Sequence, residues 1–518
     1  MTLTASPTTS AAIDHAAFGD LAAHDASVET WFTSVDHRRV GRLLTGAALL
    51  LGVAGTAVLA LVSQQFDRAT RGALPVRDFL GAESRTAFSF DRIWNLVHTA
   101  GPYFIVMPLF LGVATAIVPA LIGGNRLAFP RLQAFVLWGY VVAAGMFIAS
   151  FVVGDGPPQL DVLSTSIAQT GGSAANHATN LLIGSLMIVT IVTILGALNL
   201  VLTVVTQRRM GLRLSDVRPF AFASLVTGGI LALASPVFLA GLLLLELDQH
   251  FGGTLFGSEG GARLWAHMIW LNGRPEALLL LLPVIGAIVD VVASRVSANP
   301  LGGRSVNSLL GLFGALTLTA WASDSWKLNH MVQPNSTWQS SLIGIPLGLL
   351  ALVALGTLGQ NAKNLKVDAS LLFAVAALLL IVLGVLNIVV AAIRGVTEGN
   401  GLALWSIDQS LLVVVIIPIV GLLAAAVEFM PRLDDRRAHP GAASLGGLAT
   451  LAGFAIYFLA LATSAYRDDF TKSATALSAI ALLGGLVAAA GVALAGLSIA
   501  GAVLSRDPKT ATGSEAGL

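Results

Sequence analysis

A carboxylate and a guanidinium stand beside one another in an apolar run of this chain, where neither is cheap to hold. Trp270 to Pro283 reads WLNGRPEALLLLLP, which sets Arg274 and Glu276 two residues apart. A second run ends Trp321-Ala322-Ser323-Asp324. An ionisable group in such a run is a functional candidate, because the charged form is penalised unless it is paired or neutralised. Glu276 therefore reads either as a proton-carrying group or as a carboxyl hydrogen-bonded locally. The imidazoles are the other candidates, as proton carriers or metal ligands. The nine histidines are His15, His24, His37, His98, His177, His250, His267, His330 and His439. Most fall in the N-terminal tail, in loops or at the ends of apolar runs. There is no cysteine, which excludes disulfides, thiolate metal sites, iron–sulfur clusters and covalently attached haem.

The elements that must position these groups are membrane helices. Of the 518 residues, 55% are hydrophobic and 11% charged, against roughly 25% charged in a soluble domain. Apolar runs predict twelve spans, at about 43–63, 94–122, 132–154, 179–205, 218–247, 265–293, 305–323, 340–359, 369–393, 403–430, 444–464 and 474–504. Each meets the length needed to cross a bilayer as an α-helix. The fold expected is an all-α polytopic membrane protein. Met187 reads as core packing, and His267 and Trp270 as residues of the outer interface. Net charge is +1, so bulk charge implies no nucleic-acid partner.

Loop cations orient the bundle. His37-Arg38-Arg39-Val40-Gly41-Arg42 precedes the first span. Arg126 and Arg131, then Arg208, Arg209 and Arg213, then Arg295 and Arg304, Lys363 and Lys366, Arg432, Arg436 and Arg437, and finally Arg506 and Lys509 follow the even spans. Loops after odd spans carry fewer cations or balance them with acids. The positive-inside rule then predicts both termini in the cytoplasm, with a bacterial cytoplasmic membrane as the expected location. Residues 1–30 are rich in Ala, Ser and Thr without a basic-then-apolar pattern, and read as a disordered cytoplasmic tail rather than a signal peptide. The membrane domain is expected over 31–505, with a cytoplasmic tail at 506–518.

Several segments, in order, resemble subunit I of the haem-copper oxidases. Ser34-Val35-Asp36-His37-Arg38-Arg39 is similar to the family's SVDHK before the first helix. Ala128-Phe129-Pro130-Arg131-Leu132 matches its AFPR turn, and Pro157-Pro158 its paired prolines after the third helix. Ile194 to Asn199 (ILGALN) resembles ILGAIN in the fourth, and Ala234 to Ala240 (ASPVFLA) resembles LSLPVLA in the fifth. The loop from Asp248 to Trp265 keeps the family's length and its Gly-Gly pair. The resemblance runs from about residue 31 to 465 and implies a twelve-helix, subunit I-like bundle.

It also implies where cofactors would sit, and there the chain departs from the pattern. The family's first copper-binding His and its cross-linked Tyr fall on Arg274 and Leu278. Its paired copper histidines in the seventh helix fall on Ser323 and Asp324. The haem His-x-His of the tenth falls on Gln409 and Leu411, or one residue earlier on Asp408 and Ser410. The remaining haem ligand falls on Val97. His98 is one step away, about 100° around a helix, and a one-residue irregularity could restore it. The family's proton-path Asp becomes Arg126, its Asn partner Gln133, and the Lys of the eighth helix Leu350. Glu276 keeps the family's gating carboxylate.

The resemblance therefore implies a frame without its cofactors: no copper, no high-spin haem, and at most a single haem near His98, whose other reading is a hydrogen bond to a neighbouring helix. The function expected is a scaffolding membrane subunit of a respiratory-type complex, a pseudoenzyme beside lipid and subunit II-like and subunit III-like partners. Two alternatives stay open: a redox enzyme with an altered site, oxidase-like or nitric-oxide-converting, and a proton or small-molecule conduit. Leu278, Leu350 and Leu411 are the expected fillers of emptied haem space. Arg274 and Asp324 are expected to pair where the family binds copper, because Arg cannot shed its charge; the alternative is that Asp324 faces outer water at the end of the seventh span.

Overall fold

A computed structural model describes residues 34–69, 101–153, 177–251, 255–256, 261–268, 274–327, 336–360, 362–365, 367–392, 415–433, 440–466 and 473–504, parts of these by backbone alone. Twelve long helices account for nearly all of them: α1 His37–Ala69, α2 Met107–Leu121, α3 Pro130–Val152, α4 His177–Thr206, α5 Pro219–Phe251, α6 Arg274–Arg295, α7 Ser305–Lys327, α8 Ser336–Gln360, α9 Ala369–Ala392, α10 Ile417–Phe429, α11 Pro440–Tyr466 and α12 Ser473–Leu504. Each expected span has its helix. Seven are long and apolar enough on their described residues alone to cross a membrane, and the chain is an integral membrane protein. The helices start where the sequence permits. Pro130, Pro219 and Pro440 open α3, α5 and α11, where a missing N–H costs nothing.

The sixth span is described in two parts, on either side of residues 269–273. Its first residues, 265–268, belong to a separate short helix, Gly261–Met268, and α6 is described from Arg274. That short helix is held by packing on one side. Trp265 is buried and meets the Phe256 ring edge-on at 5.9 Å. Asp248, at the end of α5, accepts hydrogen bonds from the amides of Leu255 and Phe256. A Cβ on Gly261 would lie 2.3 Å from the Phe256 carbonyl oxygen, so only glycine fits the second position of the Gly-Gly pair.

Three helices are buried all round. Every residue of α2 from Met107 to Pro119 is buried, as is every residue of α6 from Leu279 to Ala293, and all of α10 except Val427. Leu350 of α8, one of the expected fillers, has no exposed surface. The outer helices instead present large apolar side chains outward, among them Leu50, Val152, Leu233, Leu352, Leu459 and Leu497. A helix that is apolar on every face belongs inside protein, and apolar outer faces suit lipid. Helices α2, α6 and α10 belong to three of the four spans on which the resemblance places ligand positions, although Val97, His98 and 408–411 themselves lie outside the described residues. Helix α6 touches α5, α7, α8, α9 and α10, and α12 closes the ring by packing on α1.

Small residues set the closest approaches. A Cβ on Gly112 of α2 would fall 2.6 Å from the Thr45 amide nitrogen of α1, and one on Gly41 would fall 2.7 Å from the Gly112 carbonyl oxygen. Between α11 and α12 the same close fit repeats along the pair, at Gly446, Gly453, Gly484 and Gly491. Lipid tails are as apolar as side chains, so backbone proximity and dispersion hold such pairs. Replacing Gly491 by Leu would drive a side chain into Thr450 and the Gly446 carbonyl, both within 2.5 Å of the new Cβ. We expect a loss of about 3 kcal/mol or more in unfolding from detergent, whereas Gly145→Leu, where nothing lies within 4 Å, should change little.

Candidate functional site

The two helices on which the resemblance places copper positions bring those positions to one side of the bundle. Arg274, Glu276 and Leu278 lie in the first turns of α6, and Ser323 and Asp324 near the end of α7. The helices pack together and are joined by residues 296–304, so the start of α6 and the end of α7 lie at the same end. The side chains of these five residues are outside the described part, as are Val97, His98, Asp408, Gln409, Ser410 and Leu411 altogether. The described part of the span after His98 carries an irregularity. Pro102–Val106 form a π-turn before α2. A π-turn adds a residue to the turn, the opposite of the shortening that would rotate the His98 position onto that of Val97. His37, His177 and His250 sit at helix ends.

The opposite end of α6 holds a charge network that sequence reasoning missed. Glu428, near the end of α10, has a side chain with no exposed surface. It accepts hydrogen bonds from the Arg295 guanidinium and from Ser294 Oγ at 2.7 Å. Arg295 reaches in its other direction to Asp368, at 2.6 Å. Asp368 in turn caps α9 by accepting from the Leu371 amide at 3.2 Å. Ser370 Oγ lies 2.8 Å from both carboxylates, Asp368 Oδ1 and Glu428 Oε2, and its proton serves one at a time. Thus one arginine ties the ends of α6, α9 and α10. The buried charges are tolerable because the pair is hydrogen-bonded on several sides.

One turn before Arg295, Asp290 of α6 is buried as well. It accepts from the Phe220 amide at 2.9 Å, and the Arg218 Nε lies 3.4 Å from its other oxygen. Phe220 is the second residue of α5, so Asp290 satisfies a free helix-start amide and sits at the positive end of that helix. Arg218 also lies over the Phe429 ring, 5.4 Å from its centroid. Arg304 pairs with Asp216, and the Asn307 amide donates to the carbonyls of Ser215 and Val217. Asp290 and Glu428 were findable: each is an acid within an expected apolar span, the same signal that singled out Glu276.

The AFPR-like turn and the ILGALN segment form one device. Asn199 of α4 accepts from the Phe129 amide at 2.9 Å and donates to the Phe129 carbonyl at 3.0 Å. Thr203 accepts from the Ala128 amide at 3.0 Å. Phe129 precedes α3 and no side chain of its own caps that helix, so the fourth helix supplies the cap. Asn199 also donates to Gln133 Oε1 at 3.1 Å, while Gln133 Nε2 is buried without a hydrogen-bond partner among the described residues. Arg126 is exposed on the preceding turn.

This geometry of twelve helices, with paired charges at one end and a shared cap between α3 and α4, has known relatives. The chain belongs to the cytochrome c and quinol oxidase polypeptide I family, whose profile matches residues 39–499. It is 27% identical over 372 residues to a probable cytochrome c oxidase subunit 1-alpha of Streptomyces avermitilis, covering 70% of this chain and 61% of that protein. It is 27% identical over 324 residues to quinol oxidase subunit 1 of Bacillus subtilis, covering 62% of this chain and 48% of that one. The chain thus spans less than two thirds of the length of these curated relatives. A haem-copper terminal oxidase solved as a dimer shares the fold at a TM-score of 0.61 and 15% identity, covering 90% of this chain and 84% of the other.

The network at the end of α6 makes a direct prediction. Glu428→Ala leaves Arg295 facing a buried space without its carboxylate, and should lower stability by about 3–5 kcal/mol. Combining it with Arg295→Met should recover most of that loss in the same detergent melting assay.

Proposed function

We propose that this chain is a subunit I homologue that keeps the oxidase frame as a structural membrane subunit and does not carry the oxidase cofactors. The observation that supports this most is the donor set at the positions where the family holds copper: a guanidinium, an isobutyl group, a hydroxyl and a carboxylate at Arg274, Leu278, Ser323 and Asp324. Copper at a haem-copper centre needs imidazole nitrogen, and a permanent cation at Arg274 repels the metal. That donor set does not fit copper. At the haem positions Gln409 and Leu411, or Asp408 and Ser410, no imidazole is available in either register, and haem iron requires an axial ligand. No oxidase step is derived through these groups.

The likeness of the frame supports a role in assembly. Relatives named as oxidase subunits imply neighbours of subunit II-like and subunit III-like type. The cation-rich end, with Arg126, Arg208, Arg295 and Arg304, supports a cytoplasmic placement of that end in a bacterial membrane. On this reading the scaffold contributes shape and docking surface, and electrons pass elsewhere in the complex.

Two measurements test the reading. An optical spectrum and elemental analysis of the purified full chain should show neither a haem band nor stoichiometric copper; either one overturns it. The second concerns the former metal position. Arg274 and Asp324 stand on helices that end at the same side of the bundle, which supports an ion pair in place of the metal. Asp324→Asn should then cost about 3–5 kcal/mol, and the double change Arg274→Met with Asp324→Leu much less. Unchanged stability in Asp324→Asn rules the pair out.

A further inference from the structure

Two glycine turns clasp at one end of the bundle and gather five arginines without an acid among them. Residues 121–131 supply Arg126 and Arg131, and residues 206–214 supply Arg208, Arg209 and Arg213; neither stretch contains Asp or Glu. The clasp is tight. The Arg209 amide donates to the Ile122 carbonyl at 3.0 Å. A Cβ on Gly124 would lie 2.7 Å from the Gln207 carbonyl oxygen, and Gly123, at φ +73°, has the Arg209 side chain beside it. The nearest acid in the chain, Asp216, is taken up by Arg304. Arg126, Arg131, Arg209 and Arg213 are exposed and Arg208 is half-buried. None of the five has a side-chain hydrogen bond or ion pair among the described residues.

Below the charges runs an apolar lane. Arg131 is followed one turn on by Phe135, 56% exposed, and farther along the same helix by Val142, 54% exposed. On α4, packed against α3, Leu198, Leu202 and Val205 are exposed on one face and lead up to Arg208 and Arg209. Phe129 and Met210, 52% and 97% exposed, stand at the boundary. The charged clasp lies at the ends of four membrane helices, α2 to α5, and the lane runs from it along α3 and α4.

From this we infer that the α2–α3 and α4–α5 turns form a binding site for anionic phospholipid, with the phosphodiester held by the arginine clasp and the acyl chains lying along α3 and α4. Guanidinium forks match phosphate oxygens in pairs. Crowding five like charges at one place is unfavourable until an anion joins them. An acidic protein face would meet the charges but would not need the lane, which continues away from them toward the middle of the bilayer.

The test uses the full chain in a neutral detergent, with phosphatidylglycerol, phosphatidylcholine or inorganic phosphate added, read by native mass spectrometry and melting temperature. Phosphatidylglycerol should be retained at concentrations about tenfold or more below phosphatidylcholine, and high salt should weaken it. Each arginine is worth about fivefold near an anionic surface. The triple change Arg126→Gln, Arg209→Gln, Arg213→Gln should therefore weaken phosphatidylglycerol binding roughly a hundredfold, with the lipid-free melting temperature no lower than that of the native chain. Lys363→Gln, on another loop, should leave binding as it is. Equal retention of the two lipids, salt-insensitive binding in the native chain, or unchanged binding in the triple variant overturns the proposal. So does equal protection by inorganic phosphate, which would make the clasp a site for soluble anions.

Discussion

Glu428 is a carboxylate with no exposed surface at the end of a helix that meets no lipid, and Arg295 is what makes that position tenable. Much of the architecture at this end follows from that contact. Arg295 closes α6, Glu428 closes α10, and Asp368, on the far side of the same guanidinium, opens α9. A single planar cation with donors pointing in several directions can hold several helix ends at once, which a lysine could not do with the same geometry. Asp290 repeats the solution one turn away, using a backbone amide of α5 and Arg218 in place of a second carboxylate. Charged groups are thus concentrated at the cation-rich end, while the middle of α6 is apolar from Leu279 to Val289.

That division separates two kinds of cohesion. Through the bilayer the helices are held by close packing of small residues, seen where Gly41 meets Gly112 and where Gly453 meets Gly484. No hydrophobic driving force operates between surfaces that lipid would cover equally well, so proximity is the source of attraction. At the ends, where water is near, hydrogen bonds and ion pairs fix which helices are neighbours and at what height. Asn199 shows the second kind in its plainest form, since it caps a helix to which it does not belong.

The same division bears on function. On the proposed reading, Arg274, Leu278, Ser323 and Asp324 stand at the family's metal positions, and the frame needs another means of joining α6 to α7 at the end opposite Arg295. An ion pair is the proposed one. The frame then has polar fastenings at both ends and a packed apolar middle, which suits a subunit whose work is to hold a shape in the membrane and to meet lipid and other subunits.

What the chain alone determined is what depends on near neighbours. Hydropathy over about twenty residues located every long helix. The family was readable because order along the chain is enough to register its motifs. The contact of Trp265 with the Phe256 ring was not readable, because hydropathy assigns Trp265 only to its own apolar run. The partners of Asp290 and Glu428 were not readable either. Each carboxylate was visible as an acid in an apolar run, but its partner stands 70 or 133 residues away. Nor could local pattern say that α2, α6 and α10 are the inner helices, since inner and outer helices are alike in apolar content. Only the packed structure decides which faces meet protein and which meet lipid, because the two surroundings are equally apolar and are told apart by shape and by the few polar contacts at the helix ends.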